Sequence, residues 1–108
     1  MIDDAALRER LAGLSGSARR LLDYVAALDG VARYAVLRHL ARVTEEDMVV
    51  DLRECVDAGA LTPVAGEPNT YAFATDGVRA LVVREAGEER LGRLRARAES
   101  ARRRVEGA

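Results

Sequence analysis

The stretch AVLRHLARVTEEDMVVDLRECVDAG, residues 35–59, decides how the chain is read. Its first part places Val36, Leu37, Leu40 and Ala41 at helical spacing, and Val43-Thr44 ends that run after a few turns. Thr44, followed three residues later by Asp47, is a capping-box-like start in which Asp stands where Glu or Gln is usual. Glu45 and Glu46 suit the positive end of the helix dipole that begins there. Beyond them Val49, Leu52 and Val56, joined by Met48 and Cys55, recur at three- and four-residue intervals, and Gly59 suits a left-handed terminus. The central pattern is helix, short turn, helix.

Downstream, Ala60 to Val64 and Thr70 to Ala74 are β-like, and Ala65-Gly66-Glu67-Pro68-Asn69 between them is rich in turn formers, so a hairpin is expected. Thr75 and Asp76 offer caps for a helix through Val78, Leu81 and Val82, which Gly87 breaks. A last helix carries Leu91, Leu94, Ala98, Ala101 and Val105. Upstream, Leu7, Leu11 and Leu14 follow Asp3 and Asp4, either of which is a candidate cap, and Gly13 marks the end of a short first helix. Ser15 and Ser17 are candidate caps for a second helix with Leu21, Leu22, Val25, Ala26 and Leu28 on one face, closed by Asp29-Gly30. Val31-Ala32-Arg33 reads as a brief strand. The order predicts a mostly α chain with a small β-hairpin: a winged helix-turn-helix with an extra N-terminal helix and a C-terminal helical extension. The expected divisions are a helical lead-in over 1–14, a core over 15–86 and an arginine-rich helix over 87–108.

The chain has 108 residues with 49% hydrophobic residues, enough for one core and too little for two. Charged residues reach 32%, yet the net charge is only -1, so no global field draws the chain to nucleic acid or acidic lipid. All 17 basic residues are arginine, as a GC-rich coding sequence would produce. Cys55 has no second cysteine to pair with, and no apolar run is long enough to span a bilayer. With no signal-type start, a cytoplasmic setting is expected.

Ala6 to Ala101 resembles the winged-helix segment that follows the nucleotide-binding module in STAND-type signalling ATPases, including large LuxR-type bacterial transcriptional regulators. The resemblance rests on Leu7-Arg8-Glu9-Arg10-Leu11-Ala12-Gly13-Leu14-Ser15, on Ala18-Arg19-Arg20-Leu21-Leu22 through Leu28-Asp29-Gly30, and on Thr44-Glu45-Glu46-Asp47 leading to Leu52 and Ala58-Gly59-Ala60-Leu61. Tyr71-Ala72-Phe73 followed by Val78-Arg79 and Arg84-Glu85-Ala86 is similar to the strand-to-helix exit of that family. The histidine that such proteins often carry after the aromatic strand is replaced by Ala74-Thr75-Asp76. The resemblance implies a regulatory relay domain that packs on an ATPase core or a helical-repeat region, with protein contacts favoured over DNA reading.

Charge tests that implication independently. In a DNA-reading winged helix the second helix of the pair lies in the major groove among phosphates. Here that helix carries Glu45, Glu46, Asp47, Asp51, Glu54 and Asp57 against Arg53 alone, and the hairpin tip holds Glu67 and no arginine. The alternative, a DNA-binding transcriptional regulator, would have to use Arg33, Arg38 and Arg42 near the third helix with Arg102, Arg103 and Arg104 of the last. His39 in the same region has no second histidine for a metal set.

Leu91, Leu94, Ala98, Ala101 and Val105 step by threes and fours, the spacing of two packed helices, which makes them a candidate partner interface or a candidate packing face of the domain itself. On the first reading Leu94→Asp would abolish a homodimer and leave the core folded. For covalent chemistry Cys55 with His39 is the only conceivable nucleophile and base, and Cys55 falls on the apolar stripe of its helix. Gly13, Gly16, Gly87 and Gly92 lack the spacing of a phosphate loop. A binding and regulatory module without catalytic residue, metal or cofactor is the expectation.

Overall fold

The computed structural model describes residues 4–107. The candidate cap Asp3 lies outside them. Six helices and three strands follow in the order α1 (Asp4–Ala12), α2 (Gly16–Ala27), β1 (Val31–Arg33), α3 (Tyr34–Ala41), α4 (Glu45–Asp57), β2 (Leu61–Pro63), β3 (Thr70–Phe73), α5 (Asp76–Ala86) and α6 (Glu88–Glu106). The chain is mostly helical with one small antiparallel sheet. None of these helices is long and apolar enough to cross a membrane.

Capping chemistry sets the helix starts. Ser15 Oγ accepts from the Ala18 amide at 3.2 Å, Thr44 Oγ1 from Asp47 at 3.1 Å and Thr75 Oγ1 from Val78 at 3.1 Å, so each hydroxyl satisfies an amide that the helix itself leaves open. Ser17, the other candidate cap of α2, lies inside the helix and bonds elsewhere. At the far end of α2 the chain reverses through Asp29 (φ 64°) and Gly30 (φ 88°), whose amides bond back to Ala26 and Val25. That reversal delivers the chain directly into β1.

The sheet is more than the expected hairpin. Its order is β1-β3-β2, because β1 pairs antiparallel with β3 (Val31 with Ala72, Ala32 with Tyr71, Arg33 with Thr70) while β2 pairs with the other edge of β3 (Leu61 with Phe73). The brief strand thus closes the sheet against the start of α3.

Helix α2 is the central wall. Ala18, Leu22 and Val25 are fully buried, and α2 touches α3, α4, α5 and α6. Its buried Asp23 accepts from Arg19 on the same helix and from Arg90 of α6, both at 3.1 Å, which ties α2 to α6 across the core edge. The three expected divisions share one hydrophobic cluster. Leu7 and Leu11 of the lead-in are buried, α1 packs on α5, and Asp4 pairs with Arg84 at 3.3 Å. The first helix is therefore a core element, since its two leucines find apolar partners nearer than solvent.

Candidate docking face and arginine clefts

Helix α4 presents the first candidate site, and its rotation differs from the sequence reading. Met48, Asp51, Leu52 and Cys55 point inward, whereas Val49 is 49% and Val50 62% exposed and Val56 is half-buried. Met48, Leu52 and Cys55 belong to both faces, and the difference is that Asp51 lies inside where Val49 was expected, a rotation that periodicity alone could not resolve. What selects the observed one is polar chemistry at α2: Ser17 Oγ donates to Asp51 Oδ1 at 2.9 Å, and the Ser15 amide donates to Glu54 Oε2. Both contacts place acidic groups at the amino end of α2, where the helix dipole favours them.

Two of the six carboxylates on this helix are thereby turned toward α2. Glu45, Glu46, Asp47 and Asp57 stay exposed, as does Arg53. Between α4 and the hairpin lies a groove of about 550 Å³ whose apolar lining is Val49, Leu52, Val56, Pro63 and the rings of Tyr34 and Tyr71. Glu45, Arg53, Asp57 and Asn69 complete its wall. Tyr34 Oη is buried without a hydrogen-bond partner among the described residues. An apolar floor with carboxylates around it fits a protein segment that brings an apolar side chain and basic neighbours.

The arginines proposed for phosphate contact separate into two groups. Arg33 pairs with Glu106 at 2.6 Å, and Arg102 donates to the Leu28 carbonyl at 3.1 Å and lies 3.9 Å from Asp29. These two line one cleft together with Glu67 and Glu106 and are committed to holding α6 on the α2–β1 turn. The side chains of Arg38, Arg42, Arg103 and Arg104 have no hydrogen-bond or ion-pair partner among the described residues. Arg42 and Arg104 meet in a second cleft, between α3 and α6, with His39, Arg97 and Ser100. Arg38 lies beside it in a shallower depression shared with His39, Arg42 and Tyr34. Arg97, one of the arginines of the basic last helix, was not among those assigned to phosphate contact; it donates to the Leu40 carbonyl at 2.9 Å and lies over the Tyr24 ring at 6.0 Å. No local motif signals that position, because α3 and α6 are far apart in the chain.

The candidate partner interface on the last helix is corrected. Leu91, Leu94, Ala98 and Ala101 are 1%, 4%, 1% and 2% exposed, packed against α2 and α3 of the same molecule, and Val105 is half-buried on that core. The seam found its partner helices within the chain, where no association entropy opposes contact. Leu94→Asp therefore tests the fold and not an oligomer.

Cys55 is fully buried and its thiol donates to the Ala18 carbonyl at 3.4 Å. Burial, reinforced by the charges of Glu54 and Asp51 and opposed by Arg19, pushes the thiol up to about 12. His39, the base considered with it, lies at the exposed α3–α6 cleft. Among the described residues no group of three or more His, Cys, Asp or Glu is placed to hold a metal ion. No family model matches the chain, and comparison with curated proteins and with solved structures gives no match.

Proposed function

We propose that this chain is a winged-helix interaction module of a bacterial signalling or transcriptional regulator that works in the cytoplasm by contacting a protein partner or a neighbouring ATPase or helical-repeat domain. Support for the winged-helix reading comes from the succession of α2, β1, α3, α4 and the β2–β3 hairpin, with β1 on the outer edge of β3. The STAND-type resemblance of the sequence points the same way.

The observation that carries the role is the surface of α4. The helix that would enter a DNA groove exposes Val49 and Val50 beside Glu45, Glu46, Asp47 and Asp57. Those carboxylates repel phosphate, and uncovered valines gain free energy only against an apolar surface. The exposed surface of α4, together with the α4–hairpin groove that Val49 borders, is accordingly the proposed docking face. A DNA-binding role through α3 and α6 is the second reading, favoured by the unpaired Arg38, Arg42, Arg103 and Arg104; Arg33 and Arg102 are already held by carboxylates and a carbonyl.

A photo-reactive amino acid at position 50, irradiated in the native cell, tests the proposal. The expected adduct is a discrete protein band, weakened by Glu46→Arg and Asp47→Arg. Adducts to nucleic acid, or mobility shifts of duplex DNA that are steep in salt and lost in Arg38→Glu, would overturn it.

A further inference from the structure

The arginine cleft between α3 and α6 is not needed for the docking face, and its construction points to a ligand of its own. Its walls are His39, Leu40 and Arg42 from the end of α3 and Ala96, Arg97, Ser100 and Arg104 from α6, enclosing about 540 Å³. Among the described residues three guanidinium groups share that lining and no carboxylate does. Seven arginines elsewhere, Arg8, Arg19, Arg33, Arg84, Arg90, Arg93 and Arg102, each have a carboxylate neighbour, whereas Arg42, Arg97 and Arg104 have none among the described residues. Acidic groups outnumber basic ones, 18 to 17, so the bare cleft is not a shortage of acids. Like charges gathered in one concavity repel, and a bound anion reverses the sign of that interaction.

Backbone conformation singles out the same place. Arg42 sits at the carboxyl end of α3 with φ 56°, the left-handed position where glycine is usual. The other non-glycine residues at positive φ are Asp29 and Asn69, types that tolerate it through their short polar side chains. Arginine has no such compensation, so its presence calls for a use of the side chain. The carbonyls at that helix end would disfavour an anion, but Arg97 donates to the Leu40 carbonyl, and that bond, with the Tyr24 ring centroid 6.0 Å away, orients the guanidinium before any ligand arrives.

We infer that this cleft binds a compact phosphate-chain anion. Arg42, Arg97 and Arg104 supply the forked donors that match phosphate oxygens, and Ser100 adds a hydroxyl donor. Among the described residues Leu40 and Ala96 are the only aliphatic lining and His39 the only ring, so the cleft is built chiefly to recognise the phosphates. The phosphates belong either to a free inorganic chain or to a nucleotide tail.

Titration of the full chain with inorganic tripolyphosphate, followed by amide and guanidinium NMR shifts, tests this, with ATP as a parallel arm. Shifts should cluster at His39, Arg42, Arg97, Ser100 and Arg104. Arg42→Gly relieves the left-handed strain, so its melting temperature should equal or exceed that of the parent while its affinity for tripolyphosphate falls at least about tenfold, the factor that one charge-assisted contact carries. Arg104→Gln should weaken binding similarly, whereas Arg20→Gln on exposed α2 surface leaves it unchanged. Tripolyphosphate and ATP bound alike assign the site to the phosphate chain; ATP bound at least tenfold more tightly assigns it to a nucleotide tail. Shifts spread over all exposed arginines, or equal affinity in the three variants, would overturn the inference. So would tighter, salt-steep binding of duplex DNA at equal phosphate concentration, or equal competition by a Glu-rich peptide.

Discussion

Cys55 and Arg42 show how single positions carry information of different kinds. The Cys55 thiol is buried against Ala18, and its raised value means that the folded state keeps the proton longer than the unfolded chain does. Between the unfolded value of 9.0 and the folded value of about 12, unfolding releases a proton, so stability falls as pH rises through that window and is unaffected below it. The slope attributable to this group approaches about 1.4 kcal/mol per pH unit. Urea denaturation at pH 8 and pH 10 should therefore show a larger loss in the parent than in Cys55→Ala; parallel losses would show that the thiol is already exposed to solvent. The same burial predicts slow alkylation at pH 8 unless urea is present. Arg42 has the opposite character: its conformation weakens the fold, and glycine there should be neutral to stabilising by up to about 1 kcal/mol.

At the scale of elements, packing set the rotation of α4 and chose between the two sequence readings of α6. For α4 the rotation turned on Asp51, a carboxylate that the hydrophobic pattern assigns to solvent but that Ser17 draws inward. Val49 and Val50 are left outside as a result. Val50→Asp should then shift stability by no more than about 0.5 kcal/mol, as exposed positions generally do. Leu94→Asp buries a carboxylate in a site 4% exposed and should cost upward of about 3 kcal/mol, enough to unfold a marginal domain. Chemical denaturation of the two variants side by side checks both magnitudes. A folded, parent-like Leu94→Asp protein would mean that α6 does not rest on α2 and α3 as described.

Across the whole molecule, nearly neutral net charge conceals separation. Glu45, Glu46, Asp47 and Asp57 mark the α4 face, while Arg38, Arg42 and Arg104 mark the α3–α6 clefts, with no ion pair among the described residues neutralising the latter. Ion pairs instead link segments distant in sequence, Asp4 to Arg84, Arg19 to Glu85, Asp23 to Arg90 and Arg33 to Glu106. The exposed pairs among them contribute little individually, buried Asp23 with Arg90 apart, and the shared apolar cluster holds the segments together. A chain ending at Ala86 loses Leu91, Leu94, Ala98 and Ala101 from the core and uncovers α2 and α3. At roughly 1.5–3 kcal/mol for each leucine alone, that loss is a large share of the stability of a domain this size. Circular dichroism of residues 1–86 should show no cooperative melting; a sharp transition would restore the last helix to the status of an appendage.

What the sequence determined by itself was local: Ser15, Thr44 and Thr75 as caps, Asp29-Gly30 and Gly87 as breaks, and thus the identity and order of the elements, because capping and turn formation act over a few residues. Tertiary structure alone decided which face of α4 is outside, that α6 is core, that β1 joins the sheet, and that Arg97 and Arg104 stand beside Arg42. Those outcomes depend on contacts between residues some 30 to 70 positions apart in the chain, and spacing along a helix carries no record of what the helix will meet.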